Sequence, residues 1–203
     1  MRVSAAQKRI RKAALELFAE KGTADVTISE LAAAAGVVRG TIYKNVRSPE
    51  LLFETIALQL AEEMDQQVVE SYRGVEDPAL RLAIGIRLYI RRAHEEPYWG
   101  RFLVQFAMTN KAVREIWTGP PAQDLARGIE SGRYDLAEGR VSAALAVISG
   151  STLAGIVLVL EGLRTWRDAG TDVAAMVLRS LGIAREEADE LAARPLPELV
   201  HFG

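Results

Sequence analysis

The sequence predicts an all-α protein, and three observations carry that prediction. Apolar residues recur at i, i+3, i+4 and i+7 in almost every segment. No stretch sustains the period-2 alternation of a half-buried strand, and glycines, prolines and Ser/Thr/Asp caps cut the chain into pieces of helical length. With 203 residues, 49% hydrophobic and 26% charged, the chain has room for a small module joined to a larger helical body.

The first helix is predicted from Ile10, Ala13, Ala14, Leu17 and Phe18, which form one apolar stripe, and Gly22 is its left-handed stop. The second begins at Thr27-Ile28-Ser29-Glu30, the spacing of a capping box. Its residues Leu31, Ala32 and Ala35 face inward, and Gly36 turns the chain into a short third helix. Ser48-Pro49-Glu50 is expected to open a longer helix to about Tyr72, with Ser48 as cap and Pro49 in the first turn. Asp77-Pro78 opens another to about His94, and Pro97 another to about Asn110. Between Gly119 and Gly132, Pro120, Pro121 and the glycines leave room for a short helix between loops. A last helix is expected from about Asp172 to Leu181, stopped by Gly182.

Between these two lies Val141 to Leu160, 20 residues without a charge, long enough to cross a bilayer. Its serines, threonine and glycines lower its hydropathy, so a buried helix is expected and a membrane-associated protein is the weakest alternative. Ser142, Ala146, Gly150 and Ala154 recur every four residues, a ridge of small side chains that lets another helix approach closely. That helix could belong to the same subunit or to a second copy.

The net charge of −2 conceals an asymmetry. Residues 1–49 carry nine Lys/Arg against four Asp/Glu, net +5, while the remainder carries sixteen against 23, net −7. A basic head on an acidic body is the charge pattern of a phosphate-contacting module. Cysteine is absent, which excludes disulfides, thiolate metal sites and thiol nucleophiles. The basic N-terminus runs into Glu16 and Glu20 rather than an apolar stretch, so no secretory signal is read there and a cytoplasmic protein is expected. His94-Glu95-Glu96 lacks a second nearby histidine, so no metal is expected. Two histidines, no glycine-rich phosphate loop and no convincing carboxylate pair make an enzyme the second-ranked reading; no catalytic residue and no cofactor are assigned.

Two short helices joined at Gly36 form a helix-turn-helix, whose second helix lies in the major groove. Ala32 is small where the helices cross, Gly36 supplies the positive-φ turn, and Val37 and Ile42 bury the inner side. That leaves Arg39, Gly40, Tyr43 and Lys44 able to face outward. A glycine inside so short a helix costs about 1 kcal/mol relative to alanine, so Gly40 is read as a place where bare backbone must approach base edges or phosphates. Arg39 can donate two hydrogen bonds to a guanine edge, Thr41 can bond a phosphate or touch a thymine methyl, and Tyr43 can give its hydroxyl to a phosphate. Thr27 caps a helix N-terminus, where an anion is favoured.

The stretch ALELFAEKGTADVTISELAAAAGVVRGTIYKNVRSPELLFETI, Ala14 to Ile56, resembles the TetR family of bacterial transcriptional regulators. The likeness covers about the first 55 residues and is specific in Gly-Thr-Ile-Tyr followed by Ser-x-Glu-Leu-Leu. It implies that Thr27, Val38, Arg39, Gly40, Thr41, Tyr43 and Lys44 occupy positions that meet DNA. Three residues depart from the family pattern. Val38 stands where Ser or Thr is usual, losing a hydroxyl that caps the recognition helix; Val46 stands where Phe is usual; and Pro49 stands where Lys is frequent, a phosphate contact that Arg47 could replace.

The resemblance further implies a DNA-binding domain over residues 1–48 and a helical effector-binding and dimerisation domain over 49–203. The partners it implies are a palindromic double-stranded DNA operator, a small-molecule effector and a second copy joined through the last two long helices. The implied function is a ligand-responsive regulator, a repressor released by its effector. Among aromatic and polar residues of the body, Tyr89, Arg92, Trp99, Phe102, Phe106 and Trp117 are the expected ligand contacts, with His94, Met108 and Tyr134 also possible; each could equally be plain core.

Overall fold

The computed structural model describes residues 4–22, 25–46, 51–114, 119–137 and 139–200. Its helices are α1 (Ala5–Lys21), α2 (Ile28–Ala34), α3 (Arg39–Asn45), α4 (Leu52–Ser71), α5 (Pro78–Glu95), α6 (Pro97–Phe106), α7 (Lys111–Arg114), α8 (Pro120–Glu130), α9 (Val141–Leu160), α10 (Trp166–Ser180) and α11 (Arg185–Ala193). There is no strand among the described residues.

Helices α1 to α3 form the head. Ser4 and Gln7 cap α1 reciprocally, each side chain serving the other's amide, and Gly22 ends the helix at φ 69°. Ile10, Ala13, Ala14 and Phe18 are buried as the stripe predicts, but Leu15 takes the place of Leu17, which is only half-buried. The inward face of α1 is therefore rotated toward α4 and α6, against which it also packs. Phe18 meets the Phe53 ring edge-on at 4.9 Å, and Phe53 in turn meets Phe102 at 5.4 Å and Phe106 at 4.8 Å. This aromatic cluster welds α1 to α4 and α6, so the head is not a freely hinged appendage.

In the body, α5 packs against α6, α8, α9, α10 and α11. Asp77 caps it by accepting from the Ala79 amide at 2.9 Å, with Pro78 in the first turn. The expected start of α4 at Ser48 lies outside the described residues. Three boundaries differ from the sequence expectation. Helix α6 stops at Phe106, and Thr109 and Asn110 both turn back to its carbonyl, so Asn110 lies beyond the end. Helix α10 begins at Trp166, six residues early, because Thr165 accepts from the Asp168 amide at 3.1 Å. Helix α10 is also not the last: the Glu- and Asp-rich residues 185–190 open α11, with Ala188 buried and Glu186, Glu187, Asp189 and Glu190 exposed.

Helix α9 carries two different small-residue faces. A Cβ on Gly155 would stand 2.7 Å from Ile90 Cδ1 and 3.1 Å from Val173 Cγ2, so α9 crosses α5 and α10 where that side chain is missing. The ridge singled out in the sequence points elsewhere: Ser142, Ala146 and Ala154 are exposed, and a Cβ on Gly150 would meet nothing within 4 Å. By length and apolarity α9 could cross a membrane, at a mean hydropathy of 2.3, with 39% of that window buried inside the protein.

Candidate nucleic-acid interface and interior cavity

The head turns the start of α2 and the outer side of α3 to solvent. At the start of α2, Thr27 Oγ1 accepts from the Glu30 amide at 3.3 Å and donates to Glu30 Oε2 at 2.8 Å, while the Thr27 amide donates to the same oxygen at 2.9 Å. Lys21 Nζ adds a 2.6 Å contact to Glu30 Oε1. That lysine, with the two Thr27 donors, holds the Glu30 carboxyl down at about 2. The Thr27 hydroxyl is thus committed to the capping box, although the residue remains exposed. Gly36 adopts φ 61°, and the Val37 amide returns to Ala32 O at 3.0 Å to close the turn.

Helix α3 then rests on α1 and α2 through Ile42, which is fully buried, and the half-buried Val37. Its other side is open: Arg39, Gly40 and Lys44 are exposed, Tyr43 is 60% and Val38 74% exposed, and Thr41 is half-buried. Val38 occupies the cap position and makes no side-chain bond to the helix amides. A Cβ placed on Gly40 would meet no heavy atom within 4 Å. Nothing in the protein's own packing therefore calls for a glycine there. Arg47 lies outside the described residues.

The body holds a cavity between α4, α5, α8 and α9. Counted out into its open mouth, it spans about 390 Å³ of empty space. Val68, Leu82, Ile86 and Ile148 supply apolar walls, and Asp65, Tyr72, Arg81, Tyr89, Asp124 and Thr152 the polar groups. Tyr89 donates to Asp65 Oδ1 at 3.2 Å, and Tyr72 donates to Asp124 Oδ2 at 3.3 Å. Arg81 lies over the Tyr72 ring at 4.6 Å, with its Nε 2.9 Å from Asp124 Oδ1. Burial pushes the Asp65 carboxyl up to about 7 and raises that of Asp124. Burial and the neighbouring Asp65 charge also raise the Tyr89 phenol well above its ordinary range.

Of the ligand contacts expected from sequence, Tyr89 lines this cavity. Arg92 and Trp99 lie behind it: the Trp99 ring is 5.7 Å from that of Tyr89, and the Arg92 guanidinium sits 4.8 Å over Trp99 while donating to Gln67 Oε1 and Glu63 Oε1 at 3.2 Å. Phe102 and Phe106 belong to the aromatic cluster at the head, away from the cavity, and Trp117 lies outside the described residues. Met108 is 62% exposed and His94 is exposed; Tyr134 is buried with its ring against Gly128. Sequence reasoning passed over Asp65, Tyr72, Arg81 and Asp124. A signal was present, since Asp65, Val68 and Tyr72 share one helical stripe, and a charge on an otherwise apolar stripe asks for a reason.

Comparison with known proteins bears on both sites. Residues 10–56 match the family model for bacterial regulatory proteins, tetR family, and residues 77–194 match that for the tetracyclin repressor-like C-terminal domain. An uncharacterized HTH-type transcriptional regulator of Mycobacterium tuberculosis is 29% identical over 96 residues, 47% of this chain and 48% of the relative. The chain thus aligns with about half the length of the curated relatives it matches. The crystal structure of RolR in complex with resorcinol is 29% identical, covers 96% of both chains and superposes with a TM-score of 0.71. A tetR family regulator from Shewanella sp. PV-4 shares the fold at 20% identity, covering 88% of this chain and 98% of its own, with a TM-score of 0.74.

Proposed function

The chain belongs to the TetR family of bacterial regulatory proteins, whose fold and family are those of ligand-responsive DNA-binding transcription regulators, and on that premise we propose that it is a cytoplasmic, homodimeric repressor released from a palindromic operator by a small-molecule effector. The carrying observation is the outer side of α3, where Gly40 has open space in place of a side chain and the residues around it are turned to solvent. In this reading residues 1–48 form the DNA-binding unit and 49–203 the effector-binding and dimerisation unit.

Arg39 reads a guanine edge, Thr41 and Tyr43 fix the backbone register, and Lys44 and Arg47 neutralise phosphates. Val38 offers an apolar contact to a base edge, and Thr27 stands at the flanking backbone through its outer surface. A two-fold pair would set two α3 helices about 34–36 Å apart, one helical turn of DNA. The exposed ridge on α9 supports self-association, because Ser142, Ala146 and Ala154 together with Val141 and Val147 form a face left uncovered among the described residues. The effector would enter at the cavity lined by Tyr89, with Arg92 and Trp99 behind it. RolR, solved both with and without its ligand, supports the effector reading. A coupling of about 1–3 kcal/mol between cavity and operator would give a 5- to 150-fold response.

A gel shift on the DNA upstream of the gene tests this reading. A discrete complex is expected, with Arg39→Ala narrowing the gap between operator and random DNA by about 1–3 kcal/mol per half-site and Tyr43→Phe weakening both alike. No complex at moderate salt, with Arg39→Ala indistinguishable from the parent, would defeat it.

A further inference from the structure

We propose that the cavity takes a monovalent organic cation, an ammonium or amidinium group on a compact apolar body, seated on the carboxylate of Asp65. This names the effector class and rests on the effector reading above.

Asp65 is the exception among the acids of this chain. Of the described carboxylates that are buried or half-buried, Glu16, Glu30, Glu63, Glu70, Asp77 and Asp124 each lie within 4.0 Å of a lysine or arginine nitrogen. Half-buried Asp65 has no such partner among the described residues. It is also the one acid of the cavity wall left in this position, since Asp124 Oδ1 is paired with Arg81 Nε at 2.9 Å.

Hydrogen bonding does not make up the difference. Oδ1 of Asp65 receives the Tyr89 hydroxyl at 3.2 Å. Its Oδ2 lies against the start of α8, where a Cβ on Gly119 would stand 2.6 Å from it. A helix N-terminus ordinarily offers free amides to a carboxylate, but α8 opens with Pro120 and Pro121, which have no N–H, and its cap makes no side-chain bond. A half-buried carboxylate with one donor is costly to ionise, and burial accordingly pushes this one up to about 7.

An ammonium removes that cost, because it donates to the carboxylate and cancels its charge. The rest of the wall asks for one positive charge and no more. Asp65 and Tyr72 are seven residues apart on α4, about 10 Å along its axis, and Tyr72 donates to Asp124, so the neutral Arg81–Asp124 pair stands at the far end. Tyr72 and Tyr89 are the remaining titratable groups of the lining, and α9 adds only Ile148 and Thr152. Arg92, behind Tyr89, is committed to Glu63 and Glu96. Val68, Leu82, Ile86 and Ile148 take the apolar body. A neutral ligand would leave Asp65 as it is, an anion would be repelled, and no group of three metal-ligating side chains occurs among the described residues.

The test titrates the full chain by calorimetry with benzylamine, benzyl alcohol and benzoate, one ring with three charges, and runs a gel shift on the same samples. Benzylamine should bind with a Kd of about 1 mM or below and at least about tenfold tighter than the other two. Asp65→Asn should lower its affinity about tenfold or more while changing benzyl alcohol by less than about threefold. The parent protein supplies a second measurement, needed if that variant fails to fold: the cation must displace the Asp65 proton, so benzylamine affinity should rise about tenfold from pH 6 to pH 8 while that of benzyl alcohol stays level. Benzyl alcohol or benzoate binding as tightly as benzylamine, an unresponsive Asp65→Asn, or a flat pH profile would overturn the proposal. Failure of benzylamine to bind protein that still shifts DNA overturns it and leaves the regulator reading standing. Charge-selective binding to protein that shifts no DNA supports the ligand class and defeats the regulator reading.

Discussion

Arg11 in the head and Arg92 in the body share one carboxylate: Glu63 Oε2 lies 2.5 Å from Arg11 Nη1, and its Oε1 lies 3.2 Å from Arg92 Nη2. The two cations differ sharply in environment. The Arg11 side chain is 37% exposed, whereas that of Arg92 is 2% exposed beneath α4 and over Trp99. Glu63 therefore ties the head to the wall behind the cavity, alongside the aromatic cluster.

Removing the shared carboxylate should be felt at Arg92 more than at Arg11. A buried guanidinium that loses its anion is strongly destabilising, but Arg92 keeps Gln67 Oε1 and Glu96 Oε1, each at 3.2 Å. Glu63→Gln is expected to cost about 1–3 kcal/mol and Arg11→Ala, a surface pair, under about 1 kcal/mol. Urea denaturation of both variants checks the order. Equal losses would mean that the surface half of the pair carries the stability.

The Asp65 carboxyl gives the fold a pH dependence of predictable sign. Its value of about 7 in the folded protein stands above its ordinary 3.8, so the folded state binds this proton more tightly than the unfolded chain. The contribution of this group to stability is then greatest below about pH 4, declines as pH rises toward 7 and levels off above it, while the lowered Glu30 and Asp77 carboxyls slope the opposite way. The raised Asp124 carboxyl slopes the same way, so the comparison must be made against the parent protein. Asp65→Asn, able to accept from Tyr89 while remaining neutral, should match the parent near pH 4 and exceed it at pH 8 by about 1–2 kcal/mol, allowing for partial hydration of the site. Thermal melts at the two pH values read this as a gain of about 2–4 °C per kcal/mol. A variant less stable than the parent at pH 8 would refute the assigned burial cost.

The head was legible in the sequence because its determinants are local. Thr27 and Glu30 are three residues apart, Gly36 sets its own turn, and Ile42 with Val37 fixes which side of α3 is inward. The cavity was not, because its polar groups come from Asp65, Arg81 and Asp124 on three helices, and only tertiary packing brings them together. Aromatic content pointed to Phe102 and Phe106, which serve the junction instead, since large rings at helical spacing are as useful for welding helices as for lining a site. The ridge on α9 was visible from its four-residue period, but its direction depended on Gly155, one position round the helix, taking the internal crossing.

The uncapped start of α3 offers a stabilising change. Val38 has extended backbone at φ −80° and ψ 152°, the geometry of a cap residue, with no oxygen to give. Val38→Thr keeps the β-branched shape and adds that oxygen, which should stabilise the protein by about 0.5–1 kcal/mol. The same hydroxyl can reach a phosphate, so operator affinity should rise as well. Chemical denaturation and DNA titration of one preparation measure the two effects, and a fall in stability would show that the amides of α3 are already served.

Gly40 separates the needs of the free protein from those of its complex. An added Cβ there meets nothing within 4 Å, and alanine is favoured over glycine inside a helix by about 1 kcal/mol. In the free protein Gly40→Ala should therefore raise stability by about 0.5–1 kcal/mol. Its methyl group would nonetheless stand between the α3 backbone and a docked duplex. DNA affinity should drop about tenfold or more, for operator and random sequences alike, because close backbone approach is lost before any base is read. Opposite signs in melting and binding are the signature of a residue kept bare for a partner. If Gly40→Ala binds DNA as tightly as the parent, the open face of α3 does not press into a groove at this point.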